Sequence, residues 1–264
     1  MKKIFVFALV AIVLSALCLP VLADEATNVY VTISDENGKP VVFYEKIAVS
    51  DIDGDGAITI NDALYCAHEA KYEGGAAAGY ASSNSEYGIS LNKLWGTANG
   101  GAYGYYVNNQ SAMSLSDTLK EGDHLQAYVY TDLVFWSDTY SFFDINAKKI
   151  DKGEEITLSL STVGFDENWA PVSSVLSGAT IIVNGKATDI VTDEEGKFTL
   201  SFEESGKYKI SAEKDGVALV PPVAVITVKG ESTLPAGDNS MVFIAVILAL
   251  VALTFGAAIA RQRR

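Results

Sequence analysis

Between residues 28 and 49 apolar and polar side chains alternate. Val29, Val31 and Ile33 are separated by polar residues, the run Asp35, Glu36, Asn37, Gly38, Lys39, Pro40 interrupts, and Val41, Val42, Phe43 and Tyr44 resume. A period of two puts successive side chains on opposite faces of a strand, and the interruption is made of turn formers, so the stretch predicts a β-hairpin. The period changes after Thr59. Ala63, Leu64, Ala67 and Ala70 recur at spacings of three and four, predicting a helix over 60–72, with Thr59 as N-cap and Asp62 closing a variant of the capping box. Glu73, Gly74, Gly75, three alanines and Gly79 predict a small-residue loop. Strands are expected at 102–107 and 125–130, and another aromatic segment at 135–143. After Asp151, Lys152 and Gly153, short strands at 156–160, 179–183, 197–202, 207–212 and 223–228 come at sandwich spacing, punctuated by Asn184-Gly185, Glu195-Gly196, Ser205-Gly206 and Asp215-Gly216. The expected class is mainly β: an α+β, strand-rich first domain with one helix over 24–146, a linker over 147–153, and a small β-sandwich over 154–230.

The two ends follow a different pattern. Residues 1–23 open with Lys2 and Lys3, continue as an apolar run and close on Val21, Leu22 and Ala23, the form of a signal peptide, so the chain is expected to be exported. Cys18 falls inside that segment, which leaves Cys66 as the one cysteine of the mature chain and excludes an internal disulfide. Residues 241–260 form an uncharged run long enough to span a bilayer as a transmembrane helix, and Arg261, Gln262, Arg263 and Arg264 follow as a basic cytoplasmic tail. The expected placement is a single-pass membrane protein with its body outside. The preceding linker, 231–240, carries Leu234, Pro235, Ala236 and Gly237. Together with the span and the basic tail it resembles the cell-wall sorting signal of Gram-positive surface proteins, which implies sortase as a further partner. The family pattern has a threonine before the glycine, and here that threonine is missing.

Charge narrows the partners. Of 19 Lys and Arg, five lie in the two end segments, leaving 14 against 33 Asp and Glu, a net −19, on residues 24–240. A body without a basic patch has nothing to neutralise phosphates, so nucleic acid is excluded as a partner. An acidic exported surface suits divalent cations.

One stretch carries a definite chemistry. Calcium takes six to eight oxygens, and a twelve-residue loop supplies them from positions 1, 3, 5, 7, 9 and 12 around a glycine at 6. In 51–62 these positions are Asp51, Asp53, Asp55, the Ala57 carbonyl, Thr59 through water, and Asp62, with Gly56 at the turn and Ile58 as the apolar eighth residue. The carboxylates repel one another unless a cation sits among them, which makes Ca2+ the expected cofactor. An acidic Asp-Gly turn that binds nothing is the alternative. The loop resembles that of the EF-hand and, with Asp at its close, the dockerin version. A strand, and not a helix, precedes it, and there is one repeat where a dockerin has two.

Further resemblances cover the two domains. The helix start Thr59-Ile60-Asn61-Asp62-Ala63-Leu64, then Leu94-Trp95-Gly96, Gly104-Tyr105-Tyr106-Val107-Asn108-Asn109, and Leu119-Lys120-Glu121-Gly122-Asp123 before Tyr128-Val129-Tyr130 resemble the transcobalamin C-terminal-like family over about 28–146. In the vitamin carriers of that family the domain closes over cobalamin held by a separate helical barrel, which this chain does not supply. Gly178 to Gly185, Thr192 to Leu200 and Gly206-Lys207-Tyr208 resemble the immunoglobulin-like or prealbumin-like modules of bacterial surface proteins, which usually serve as stalks.

Binding is better prepared than catalysis. The mature chain has two histidines, His68 and His124, neither in a metal or triad motif, and both are expected at the surface or a strand edge. Trp95, Tyr103, Tyr105, Tyr106, Tyr128, Tyr130, Trp136 and Tyr140 crowd the second half of the first domain. Tyr103 and Tyr105 share one strand face while Tyr106 takes the other. Trp95, Tyr105, Tyr106 and Trp136 are the candidate contacts for an extracellular glycan or protein, since such rings give large contact area at small entropic cost; that the rings fill a small β core is the equal alternative. The expectation is a non-catalytic, calcium-stabilised display or adhesion protein; a purely structural surface protein and a dockerin-like assembly module are the competing readings.

Overall fold

The computed structural model describes residues 26–86, 88–168 and 170–230; the signal peptide, sorting-like linker, 241–260 span and basic tail expected from sequence lie outside them. No helix among the described residues is long and apolar enough to cross a membrane. The chain is mainly β, as its alternation predicts.

The first unit is built on the hairpin of β1 (Thr27–Ser34) and β2 (Pro40–Val49). Its turn is closed by Asp35, whose Oδ1 accepts the backbone N–H of Asn37 and Lys39. Helix α1 (Ile60–Lys71) follows, then a second, one-turn helix α2 (Gly75–Gly79), so the small-residue stretch expected as a loop is partly helical. Its alanines have the highest helix propensity, and Glu69 accepts from the Ala76 N–H at 2.9 Å, fixing the turn. A two-stranded hairpin, β3 (Ala81–Ser85) with β4 (Gly88–Lys93), precedes β5 (Tyr103–Val107), β6 (Gln110–Ser111) and β7 (His124–Val129). The main sheet runs β2-β1-β7-β5-β6, with β1 and β7 parallel and the other pairs antiparallel. One face of it carries Val29, Val31, Ile33, Leu125, Ala127 and Val129, and α1 buries Ile60, Ala63, Leu64 and Ala67 in the same core.

The second unit begins earlier than the sequence suggests. β8 (Thr139–Phe143) and β9 (Ala147–Ile150), assigned from sequence to the first domain and the linker, pair with strands of the second unit: β8 with β10 (Ile156–Phe165), and β9 in parallel with β17 (Ala224–Val228). Local pattern does not show which sheet a strand joins. One sheet runs β11-β10-β8-β16, with β11 Pro171–Val175 and β16 Leu219–Val220, while β14 (Lys197–Leu200) also pairs with β10. The other runs β13-β12-β15-β17-β9, with β12 Thr180–Val183, β13 Lys186–Val191 and β15 Gly206–Glu213. Phe143, Ile156, Leu158, Leu160, Ile181, Phe198, Ile210 and Ile226 fill the space between them.

The units are packed together through the other face of the first sheet. Tyr106 and Tyr128 meet Tyr140, Val163 and Val220 of the second unit, and Gln126 Nε2 donates to the Pro221 carbonyl at 2.9 Å. Phe43 meets Val223 and Val225, with Lys209 Nζ 5.3 Å from its ring centre.

Candidate functional site

The acidic loop joins β2 to α1. Gly54 and Gly56 both have positive φ, which a side chain would strain, and they bend the chain so that ligand oxygens of Asp51, Asp53 and Asp55 lie within 4.8 Å of one another. Asp51 organises the bend: Oδ1 accepts from Gly54 N at 2.7 Å and Oδ2 from Gly56 N at 2.8 Å. The Gly56 N–H, with those of Gly54 and Asp55, holds the Asp51 carboxyl below the usual range. Asp53 is pushed up, by desolvation and then by the Asp55 charge. Asp55 Oδ1 takes the Ala57 N–H at 2.8 Å. Ile58 packs against the first core and Leu119 donates to its carbonyl, anchoring the loop's exit. A recess of 150 Å³ opens beside Asp51 and Ala57.

Two of the six expected ligand positions have another use. Thr59 caps α1, and Asp62, fully buried, closes the capping box: its Oδ2 accepts from Thr59 N at 2.8 Å and from Thr59 Oγ1 at 2.7 Å, while Oδ1 accepts from Ile52 N at 3.1 Å. The structure therefore gathers Asp51, Asp53 and Asp55, places Ala57 beside them, and turns Thr59 and Asp62 into the helix start. A carboxylate with Asp's short reach serves the cap and the loop less readily than a glutamate would. The exposed triad has the hard oxygen donors that suit calcium.

The candidate contact rings separate by burial. Tyr106 is only 7% exposed and stacks on Tyr140 with ring centres 3.6 Å apart and planes within 4°. It is therefore an inter-unit residue and offers no ring to a ligand, because the second unit covers the face that alternation gave to solvent. Tyr105 is half-buried on the first core, and its hydroxyl pKa is raised by burial. Trp95 is half-buried, at positive φ, with its backbone N–H donating to His68 Nε2 at 2.9 Å and its ring edge-on to Tyr72. Trp136 is 59% exposed.

Trp136 also brings in residues that the sequence reading passed over. Leu133, Val134 and Phe135 before it are 54%, 79% and 83% exposed. They form an apolar tip, and the strand begins only at Thr139. Two aspartates hold the tip. Asp132 Oδ1 accepts from Val134 N and Phe135 N, its Oδ2 accepts from Ser137 Oγ, and Asp138 accepts from the N–H groups of Thr131 and Asp132. The Ser137 hydroxyl and these amides pull the Asp132 carboxyl down to about 2. The available signal was four consecutive large apolar residues between two aspartates, without the alternation of a strand.

Both histidines, expected at the surface, are buried. His68 Nδ1 donates to the Leu64 carbonyl at 2.6 Å while Nε2 accepts from Trp95, which fixes a neutral ring. His124 Nε2 lies 2.9 Å from Thr32 Oγ1. Burial pulls each down to about 4.

No known family matches the chain, and no curated protein is similar to it. Solved structures that match include the N-terminal four Ig domains of Dscam1 isoform 4.44, at 10% identity and a TM-score of 0.23 over 40% of this chain and 23% of that one. Isoform 9.44 matches at 11% and 0.24 over 41% and 23%, and isoform 7.44 at 11% and 0.23 over 78% and 45%. The chain thus spans less than half the length of each of these structures.

Proposed function

We propose that this chain is a non-catalytic display protein of a bacterial cell surface, stabilised by calcium at Asp51, Asp53 and Asp55, that makes an external contact through the apolar tip 133–136. The observation that carries this is the tip itself: four exposed apolar side chains on a turn whose amides are tied to Asp132 and Asp138. An exposed apolar patch on a fixed backbone is the usual mark of a contact site. The anchor is the 241–260 segment, with sortase attachment at Leu234-Pro235-Ala236-Gly237 as a weaker second route. The β-sandwich holds the first unit away from that anchor. The test is an array of extracellular glycans and proteins probed with the full chain in nanodiscs at millimolar calcium. Retention that is lost on Phe135→Ser or Trp136→Ala supports the assignment; retention that survives both sinks the site, and an array without retention leaves a purely structural role.

A further inference from the structure

The tip has features that fit one kind of surface better than others. From their exposed fractions, Leu133, Val134, Phe135 and Trp136 offer on the order of 500 Å² of apolar area. A stable protein interface takes about 800 Å² from each partner with matched shape, which the tip alone does not reach. A bilayer needs no matched shape. It does favour backbone donors that are already paired, as those of three of the four tip residues are. Val134 and Phe135 donate to Asp132 Oδ1 at 2.9 and 3.1 Å, and Trp136 donates to the Asp132 carbonyl at 3.1 Å. Trp136, at the base of the apolar run, is the residue suited to the headgroup level, with Leu133, Val134 and Phe135 reaching further in.

Charge selects among lipids. No Lys or Arg occurs between Lys120 and Lys148, while Asp132 and Asp138 stand at the base of the tip. Anionic headgroups would be repelled. A choline headgroup would not: its quaternary ammonium suits the Trp136 and Tyr130 rings, whose centres are 5.9 Å apart.

Topology indicates which bilayer. β16 runs parallel to β8, with Leu219 opposite Thr139, and β17 runs parallel to β9, with Val228 opposite Ile150. The chain therefore travels from the end that bears the tip toward residue 230, which emerges at the other end of the sandwich. We infer that the 133–136 tip inserts into a choline-headgroup bilayer facing the one that anchors the chain. This names the partner for the contact proposed above and rests on that reading.

The experiment uses the full chain in nanodiscs, mixed with separate sucrose-loaded phosphatidylcholine vesicles and sedimented. The chain should pellet with the vesicles. Val134→Ser combined with Phe135→Ser should weaken the association by about tenfold or more, the loss expected from removing two large apolar side chains from the lipid. Replacing part of the lipid by phosphatidylglycerol should also weaken it, and added salt should restore it. An unchanged melting temperature for the double variant, whose altered residues are solvent-exposed, separates lost insertion from lost folding. Equal pelleting of the parent and double variant, tighter binding to anionic vesicles, or no pelleting overturns the lipid assignment. If array retention sensitive to Phe135→Ser is found alongside absent pelleting, the contact function stands and the bilayer is wrong as its target.

Discussion

Among the described residues, Asp51, Asp53 and Asp55 converge without a side-chain cation in their hydrogen-bond set, and desolvation, then the Asp55 charge, push the Asp53 carboxyl up. A bound divalent ion would turn repulsion into coordination. With Asp62 committed to the helix cap, a calcium site here would be short of one carboxylate, and the proposal expects the weak binding of extracellular modules, near 10⁻⁴ to 10⁻³ M. At roughly 10 mM calcium, linkage to such a site would add about 1.4 to 2.7 kcal/mol of stability. The full chain should melt higher in calcium than in chelator. Asp53→Asn with Asp55→Asn should abolish the difference and leave the metal-free form equally stable or more so, because two of the opposed charges are gone. Equal melting of the parent in calcium and chelator would sink the metal site. The histidines supply a second residue-level expectation. His68 and His124 titrate at about 4 when folded, against 6.5 in model compounds, so the unfolded chain binds more protons between those values. Their contribution is fully present above pH 6.5 and is lost as pH falls from about 6.5 to about 4, on the order of 3 kcal/mol for each ring. Denaturant midpoints measured from pH 7.5 to 4.5 should decline, and less steeply in His68→Gln.

The elements most legible in sequence are those whose local signals agree. The hairpin 28–49 and helix 60–72 combine a clean period with turn or cap residues, and they appear as Thr27–Ser34 with Pro40–Val49 and as Ile60–Lys71, the capping box included. β3 and β4 escaped because Ala81, Ser82, Ser83, Asn84 and Ser85 are poor strand formers, held by side-chain bonds such as Asn92 Nδ2 to Ser83 Oγ at 2.7 Å. The convergence of Asp51, Asp53 and Asp55 was readable because the spacing of acidic and turn residues is a local property. The burial of Tyr106 was not, because it depends on a unit distant in sequence. β5 shows the same limit at Gly104, where a Cβ would enter the Tyr128 ring on the neighbouring strand. That close approach lets Tyr128 lie flat over β5 on its way to the inter-unit cluster. Gly104→Ala should therefore cost about 1 to 3 kcal/mol through overpacking, although its φ is not in the left-handed region. A shift of the denaturant midpoint at constant slope would check it, and a shift within error would show that Tyr128 can move aside.

For the whole molecule, the question is whether the two units act as one body. Each has its own core, but the sheet face that joins them is unlike a linker: Gln126 and Tyr128 are almost completely buried, and Tyr106 lies flat on Tyr140. The Tyr140 hydroxyl is 2.9 Å from Asn109 Oδ1 and 3.4 Å from Gln126 Oε1, while Gln126 Nε2 reaches the Pro221 carbonyl. One aromatic side chain of the second unit thus fills the joint and satisfies polar groups of the first. A joint of this kind fixes the first unit against the sandwich whose last described residue is 230, as the proposed display function would require. Removing the ring leaves a cavity and strands the Gln126 amide oxygen, a loss of about 3 to 5 kcal/mol by comparison with other buried aromatics. The parent should unfold in one calorimetric transition, since separating the units exposes this face before either core opens. Tyr140→Ala should split it into two, with the first unit still responding to calcium because the Asp51 loop lies on the opposite side of its core. Two transitions in the parent would mean that the joint does not couple the units, and the tip would then be free to swing on its tether.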